Sequence, residues 1–379
     1  MKKKSILAAS WHPGGINAII PAIKQLKADG HDVIVLGHEF SESILEKAGL
    51  PFKTIKDFEL PDVSVKSMRE LLRNPSIALP DLVLTGTAQQ EGKANDVLEH
   101  TITLAARTYG IKTLAVLDFW DMHDYYRRFT DERTGKKLEL LPDHVAILDA
   151  IAEADMVKEG FPSEKLHKTG NPHFDDLLAK GKAFTTVQRD EVRRNIGLDA
   201  AVLLFFGGNG FKASNLNAGY YWDLDIVKII AETLRNLPGV GTAVRLHPRM
   251  PEDQKAEIQD FINSSGANMK LVPDIDSQTL VLASDATIVE FSTLGLEAVF
   301  MRRPCISLQP GFTKEQDVLI VSKKGIIPVG YTAEDCKQLV WNMMMPSFRQ
   351  KALAQSQDFT TDGKATERVV ELIYSLLKP

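Results

Sequence analysis

The sequence predicts an α/β protein of two doubly wound domains, each a parallel sheet with helices on both faces. The chain has 379 residues, which is more than one hydrophobic core usually serves. Short β-branched segments alternate with segments of helical periodicity along its whole length, as in stacked β-α-β units. This alternation stops once, in a stretch rich in glycine, proline and charge, and then begins again. Two domains facing a central cleft are therefore expected.

Strands are predicted wherever a short apolar segment ends in glycine, proline or a polar residue. In the first half they are SILAAS, HDVIVLG, FKTI, DLVLTGT, TLAVLDF and HVAILDA. In the second half they are AAVLLFF, GTAVRL, MKLVP, DATIVEF and PCISL. A helix is predicted after the first strand, because isoleucines recur at helical spacing. Pro21 lies in this segment and is expected to fit only a first helical turn.

The domain boundaries follow from the interruption in this pattern. The first domain is predicted over residues 1–171, and the second over residues 172–360. Residues 361–379 contain the helical segment ATERVVELIYSLLKP, which can cross back onto the first domain. The segment that joins the two domains is predicted to be helical, not disordered.

Composition and charge favour a small-molecule ligand. Apolar residues make up 44% of the chain and charged residues 25%, as in an ordinary globular protein. The net charge of -5 offers no basic excess, which argues against duplex nucleic acid. Cys305 and Cys336 suggest neither a metal site nor a disulfide framework, so a cytoplasmic location is expected. No apolar segment approaches the roughly 18 residues of a membrane span, so any membrane contact is expected to be peripheral. The oligomeric state is left open.

The stretch DATIVEFSTLGLEA, residues 285–298, is the first candidate for a ligand site. Ser292 or Thr293 would begin a helix whose unpaired N–H groups attract phosphate. Glu297, one turn further, would accept hydrogen bonds from ribose hydroxyls. The alternative interpretation makes the serine an ordinary cap and the acid a surface residue.

The glycine-rich stretch FFGGNGFKAS, residues 205–214, is the second candidate, because glycine allows backbone to approach a diphosphate closely. It also matches the loose form G-x-G-x-x-A, which raises a nicotinamide-dependent dehydrogenase as a rival. No helix is predicted directly after the glycines, which disfavours that rival. The residues predicted to bind the donor here are Gly207, Gly208, Asn209 and Gly210.

The third candidate is RLHPRM, residues 245–250, again at a strand end. Arg245 and His247 can donate hydrogen bonds to phosphate or to a base edge. The nearby sequence DLD, residues 223–225, resembles a metal clamp but begins a helix, where an aspartate is a common cap. No metal and no cofactor are therefore predicted, and the nucleotide is expected to be a substrate.

The fourth candidate group lies in the first domain. His12 follows the first strand and is the predicted general base, since imidazole titrates near neutral pH. The alternative catalytic groups are Asp118, Asp121, His123 and Asp124. Aromatic rings in LDFWDMHDYYRRF offer flat faces for a sugar. The residues predicted to bind an acceptor are Gly14, Gly15, Thr87, Trp120, His123 and Tyr125.

Together these motifs resemble the GT-B superfamily of nucleotide-sugar-dependent glycosyltransferases over nearly the whole chain. HPGGINAIIPAIKQLKADGHDVIVLG is similar to the first glycine-rich loop and helix of those enzymes. RLHP and FSTLGLEAVFMRRPCISL resemble motifs of bacterial capsule-type transferases, and Glu297 matches the glutamate that holds the donor ribose. TGNPHFDDL is similar to a segment shared with related epimerases and glycerophosphotransferases. The strings typical of UDP-N-acetylglucosamine 2-epimerases are missing.

The resemblance implies a metal-independent transferase that moves a sugar from a UDP- or CMP-type donor to an acceptor hydroxyl, in polysaccharide or glycoconjugate biosynthesis. Two alternatives remain open at this stage. One is a nucleotide-sugar 2-epimerase or hydrolase on the same scaffold, and the other is a non-catalytic nucleotide-binding protein. The base, sugar, acceptor and stereochemical outcome are not determined by these motifs.

Overall fold

The computed structural model describes residues 2–89, 96–121, 124–198, 200–209, 222–247 and 249–378. The chain divides into two compact units. The first unit comprises Met1–Asp176 and Thr361–Pro379, and the second comprises Leu177–Thr360. Within the described residues, each unit contains one six-stranded sheet, and all of its strand pairs are parallel.

The first sheet has the strand order β2-β1-β3-β4-β5-β6. Its strands are β1 (Ser5–Ser10), β2 (Asp32–Gly37), β3 (Leu82–Thr85), β4 (Lys112–Val116), β5 (His144–Ile147) and β6 (Leu166–Lys168). The strand predicted at FKTI is wrong, because Lys53 forms only an isolated bridge and a 3-10 helix begins at Ile55. Four residues interrupted by lysine carry too little apolar surface to extend the sheet.

Helices connect these strands as the parallel topology requires. They are α1 (Pro13–Ala28), α2 (Phe40–Lys47), α3 (Val65–Leu71), α4 (Leu98–Thr108) and α5 (Ala150–Lys158). The next helix, α6 (Pro172–Ala183), follows β6 and contains the boundary between the two units. The expectation for Pro21 is wrong, because it lies inside α1 and not in its first turn. Pro21 is itself buried, as are Ile19, Ile20 and Ile23 beside it, so packing of the apolar face holds the helix together across the missing N–H.

The second sheet has the strand order β12-β11-β10-β7-β8-β9. Its strands are β7 (Val202–Gly207), β8 (Val240–Arg245), β9 (Met269–Leu271), β10 (Ala286–Val289), β11 (Cys305–Leu308) and β12 (Val329–Gly330). The helices of this unit are α7 (Thr186–Ile196), α8 (Asp223–Leu234), α9 (Glu252–Ser264), α10 (Ser277–Ala283), α11 (Leu294–Phe300), α12 (Ile320–Lys323), α13 (Ala333–Asn342) and α14 (Pro346–Gln355).

The last helix, α15 (Ala365–Leu376), belongs to the first unit. Val369 and Ile373 are fully buried in the same apolar cluster as Ile16 and Ile19 of α1. The C-terminal segment is therefore part of the core around the first sheet, although it is distant in sequence.

Each sheet has one point at which successive crossovers run in opposite directions. In the first sheet that point lies between β1 and β3, and in the second it lies between β7 and β10. At such a point the loops after the two strands diverge and leave a crevice at their carboxyl ends, where ligands of doubly wound sheets bind. A ligand site is therefore expected at the loops that follow these strands, which begin at Trp11, Gly86, Gly208 and Glu290.

Candidate functional site

In the first unit, two glycines bring the loops after β1 and β3 together. A Cβ atom on Gly86 would lie 2.3 Å from the Cα atom of Gly15, and one on Gly15 would lie 2.7 Å from Ser10 Oγ. Both separations are too short for any side chain. Gly14 faces a side chain instead, because a Cβ there would lie 2.0 Å from Oδ2 of Asp118. The glycines are needed for the close approach of α1 to the neighbouring strand ends.

His12 lies at the N-cap of α1, and its side chain is exposed. Its Nδ1 accepts a hydrogen bond from the backbone N–H of Gly14 at 3.4 Å. While Nδ1 accepts, the hydrogen of a neutral ring is on Nε2, which is then a donor. The 3.4 Å separation is longer than an ordinary hydrogen bond, so a substrate hydroxyl can compete for Nδ1.

Arg128 is the central charge of the first unit's site, and the sequence analysis did not single it out. Its guanidinium forms ion pairs with both Asp118 and Asp121. It also donates to Thr87 Oγ1 at 2.7 Å, and Thr87 Oγ1 donates to Asp118 Oδ1 at 2.8 Å. The structure thus brings three predicted site residues together around one arginine.

Burial and charge compete in this cluster. Burial disfavours the charged guanidinium, but Asp118 and Asp121 outweigh that effect and raise the pKa of Arg128. Burial raises the pKa of Asp121, and the nearby Arg128 opposes that rise. Because both aspartates are paired with the arginine, neither presents the free carboxylate expected of a catalytic base.

Two predicted acceptor-binding rings lie in the interior. Trp120 is 4% exposed, donates from Nε1 to Asp149 at 3.1 Å and stacks on Phe174. Tyr125 is 0% exposed. Because both rings are buried, the prediction that they offer flat faces to a sugar is wrong. His123 lies outside the described residues.

In the second unit, the glycines after β7 also permit close packing. A Cβ on Gly207 would lie 2.3 Å from a methyl group of Leu294, and one on Gly208 would lie 2.0 Å from Oδ2 of Asp223. The backbone N–H of Asn209 donates to Oδ1 of Asp223 at 3.1 Å. The loop therefore lies against the first residue of α8. Gly210 lies outside the described residues.

Arg245 and His247 lie at the carboxyl end of β8. The Arg245 guanidinium donates to Ser277 Oγ at 2.8 Å, and its Nε is buried with no partner among the described residues. His247 Nδ1 accepts from the backbone N–H of Arg249 at 3.1 Å, which leaves the neutral ring's hydrogen on Nε2. Burial, followed by the two arginines, lowers the pKa of His247. A neutral imidazole with an Nε2–H donor results.

These two residues line a cavity of about 460 Å³. Its walls combine apolar side chains with a few polar groups, as small-molecule sites do. The lining residues are Val244, Arg245, Leu246, His247, Glu252, Lys255, Leu271, Val272 and Pro273.

The turn from β10 into α11 carries the remaining predicted donor-binding residues. Ser292 Oγ accepts from the Leu294 N–H at 3.3 Å, whereas Thr293 is exposed and its side chain makes no capping bond. Glu297 is half-buried and accepts from Gln278 Nε2 at 2.8 Å. Burial raises the pKa of Glu297, opposed by Gln278 and by Lys180. Glu297 thus points towards α10, the helix whose first residue contacts Arg245.

Glu290 is a buried acid that the sequence analysis missed. It follows β10 directly, is 1% exposed, and its Oε2 has no hydrogen-bond partner among the described residues. Burial, and then the charges of Asp223 and Asp225, raise its pKa well above the usual value. Its signal in the sequence is a glutamate placed directly after an apolar strand, in DATIVEF.

Asp223 and Asp225 occupy the first turn of α8, after Trp222 at the cap position, so the expectation that one of them is the N-cap is wrong. No group of three or more His, Cys, Asp or Glu suited to a metal ion occurs in the described part of the chain. Over the same residues, no helix is both long and apolar enough to cross a membrane.

Comparison with solved structures identifies the fold as GT-B. The UDP-GlcNAc 2-epimerase from Neisseria meningitidis superposes with a TM-score of 0.72 at 16% identity, over 98% of this chain and 100% of that chain. HepE from Anabaena, solved with UDP and glucose, gives a TM-score of 0.61 at 12% identity, over 98% and 100%. At these identities the similarity concerns the fold. The prediction of two Rossmann-like domains in a GT-B fold is confirmed.

The family is given by sequence. The profile of the CDP-glycerol:poly(glycerophosphate) glycerophosphotransferase family matches residues 134–375, well over half of the chain. This protein therefore belongs to that family of transferases. A search of curated proteins finds no significant match.

Proposed function

We propose that this protein transfers the glycerophosphoryl group of CDP-glycerol, or of a close pyrimidine-nucleotide relative, to an acceptor hydroxyl. The observation that most supports the proposal is the arrangement at the carboxyl edge of the second sheet, in a chain of this family. There Arg245 and His247 supply donors at the carboxyl end of β8, next to the loop after β7, whose Gly208 N–H donates to the Arg245 carbonyl at 2.9 Å. Such a set suits a pyrophosphate.

The donor half-site lies within the second unit. Arg245 Nε, buried without a described partner, and His247 Nε2–H would donate to phosphate oxygens. The adjoining cavity of about 460 Å³ has the apolar walls that a base requires. Glu297 would accept from a ribose hydroxyl, replacing or sharing its present bond with Gln278. No metal or cofactor is part of the proposal.

The acceptor half-site is proposed in the first unit, around His12, Gly14, Gly15 and Thr87. The acceptor oxygen would attack phosphorus, the phosphorus–oxygen bond to CMP would break, and CMP would leave. His12 would accept the hydroxyl proton at Nδ1, and the long hydrogen bond from the Gly14 N–H to that atom would break. The family name suggests a polymer of glycerol phosphate, or another glycoconjugate, as the acceptor.

A sugar nucleotide is the second candidate donor. It is favoured by the same half-site, since Arg245 and His247 would bind the diphosphate of UDP-sugars equally well. Epimerisation or hydrolysis, which needs free acids near the sugar, is less well supported, because Asp118 and Asp121 are both paired with Arg128. A binding protein without turnover is the third possibility.

Nucleotide identity is tested first by thermal unfolding with CDP, CMP, UDP and GDP. A ligand at 100 times its dissociation constant stabilises the folded state by about 2.7 kcal/mol. CDP is expected to give the largest shift. His247→Ala is expected to reduce this shift strongly, whereas His247→Gln, which places an amide donor near the Nε2 position, retains more of it. Equal shifts in the wild type and His247→Ala would contradict the assignment.

Turnover is tested with CDP-glycerol, CDP-ribitol and UDP-GlcNAc, with and without a glycerol phosphate polymer. Release of CMP only when the polymer is present is the expected result. Conversion of UDP-GlcNAc without an acceptor would favour the epimerase alternative. Tight CDP binding without any turnover would favour the binding protein.

A further inference from the structure

Glu99 is a buried carboxylate in the first turn of α4, and it contacts the loop that carries His12. The residue is 3% exposed. Its Oε1 accepts from Ser10 Oγ at 2.7 Å and from the Trp11 N–H at 2.8 Å, with the His12 N–H at 3.5 Å. Three consecutive residues therefore donate to a single oxygen atom. The position of the loop depends on a side chain that is distant in sequence.

The second oxygen of Glu99 makes the arrangement asymmetric. Oε2 is buried and has no hydrogen-bond partner among the described residues. Buried polar atoms are usually paired, so a carboxylate present only for packing would be expected to use both oxygens. Among the described residues, hydrogen bonds reach only the oxygen that faces the His12 loop. An amide can therefore replace the acid with its carbonyl towards the loop and its NH₂ group on the other side.

The next residue of α4 contacts the other part of the same half-site. His100 is 7% exposed, and its Nε2 donates to the backbone carbonyl of Arg128 at 2.8 Å. Arg128 in turn contacts Asp118 and Thr87. Two adjacent residues at the start of α4 thus contact both the His12 loop and the segment that carries Arg128. The positions of that loop and that segment therefore depend on the same helix.

We propose that Glu99 is the positioning residue of His12. By holding Ser10, Trp11 and His12 through one oxygen, it fixes the direction in which the imidazole faces the acceptor hydroxyl. The prediction that Glu99 orients the His12 imidazole does not depend on which reaction the protein catalyses. The effect on turnover rests on the proposed function, in which His12 accepts the proton.

The ring is observed directly by NMR of the full-length protein labelled with ¹⁵N-histidine, with His12→Gln used to assign the His12 signals. In the wild type, Nδ1 and Nε2 are expected to give one set of shifts, with the hydrogen on Nε2. Glu99→Ala is expected to shift or broaden these signals, and Glu99→Gln to restore them. Glu70→Ala, an exposed glutamate of α3, is the control.

Turnover is then measured with the proposed donor, CDP-glycerol, and a glycerol phosphate polymer as acceptor. Glu99→Ala is expected to lower kcat by tenfold to hundredfold, on the order of the effect of a misplaced catalytic group, with KM for the nucleotide donor unchanged. Glu99→Gln is expected to recover most of the rate. A lower kcat with an equal rise in donor KM, or no recovery by glutamine, would indicate a general structural role and overturn the proposal.

Glu99→Asp covers the case in which the alanine variant does not fold. It keeps the charge but withdraws the carboxylate by about 1.5 Å, one carbon–carbon bond. The His12 ¹⁵N signals of Glu99→Asp should therefore shift or broaden relative to wild type, as expected for Glu99→Ala. Unchanged His12 signals in a folded Glu99→Ala or Glu99→Asp protein would refute the positioning role. Altered signals with no turnover of any donor would instead refute the proposed function alone.

Discussion

Replacing Glu290 with glutamine is expected to remove a pH-dependent loss of stability from the second unit. The side chain is 1% exposed and its Oε2 has no partner among the described residues. Its backbone is held in place, because the Glu290 carbonyl accepts from both Ser307 Oγ and Gln309 Nε2. Ionisation of the buried carboxyl is opposed by desolvation and by the charges of Asp223 and Asp225.

The sign of the effect follows from the direction of the pKa shift. Burial and the two neighbouring aspartates raise the pKa of Glu290 well above its usual value of 4.5. Below pH 4.5 both the folded and unfolded states hold the proton, and the shift contributes nothing. Above it, the unfolded chain releases the proton and the folded protein keeps it. Stability then falls by up to about 1.4 kcal/mol per pH unit until the folded-state pKa is passed.

Urea unfolding followed by circular dichroism at half-unit steps from pH 4 to pH 8 measures this slope. Glu290→Gln carries no proton to lose, so its stability relative to wild type should rise with pH by up to about 1.4 kcal/mol per unit. The free energy of unfolding of Glu191→Gln, a substitution at an exposed position of α7, should depend on pH in the same way as that of the wild type. Parallel curves for Glu290→Gln and wild type at all pH values would refute the reasoning.

Two further substitutions test the close contacts in each unit. Gly208→Ala places a Cβ 2.0 Å from Asp223 Oδ2, so the carboxylate must move, and a loss of about 1 to 3 kcal/mol is expected in thermal unfolding, with weaker CDP binding. Arg128→Met removes the counter-ion of Asp118 and Asp121, whose side chains are 8% and 21% exposed, and a loss of about 3 to 5 kcal/mol is expected in urea unfolding.

Each of these substitutions has a matched control. If the clash with the carboxylate is the cause, Gly208→Ala should lower the free energy of unfolding by less in an Asp223→Ala background than in the wild type. Equal losses in the two backgrounds would argue against the clash. Arg127 neighbours Arg128 but its side chain is 54% exposed, so Arg127→Met should change stability by no more than about 0.5 kcal/mol. Similar losses for both arginines would show that the buried ion pairs are not the cause.

The fold class and the strand ends were predictable from local pattern. Alternation of strand and helix indicated two parallel sheets, and glycines such as Gly208 marked the loops at their carboxyl ends. Local pattern failed where packing decided the outcome. Pro21 is accommodated inside α1 because a buried apolar face holds that helix, and FKTI does not form a strand because it has little apolar surface to contribute.

What the sequence by itself determined is the order of strands and helices, and hence which loops lie at the carboxyl edge of each sheet. Residues such as His12 and His247 could be proposed for that reason. Only the tertiary structure decided which side chains support them. Glu99 of α4 is distant in sequence from the His12 loop that it holds, Arg128 joins Thr87 to Asp118, and the environment of Glu290 depends on acids of α8. Hydrogen bonding and desolvation depend on distances of a few ångströms in space, and spacing along a chain does not specify those distances.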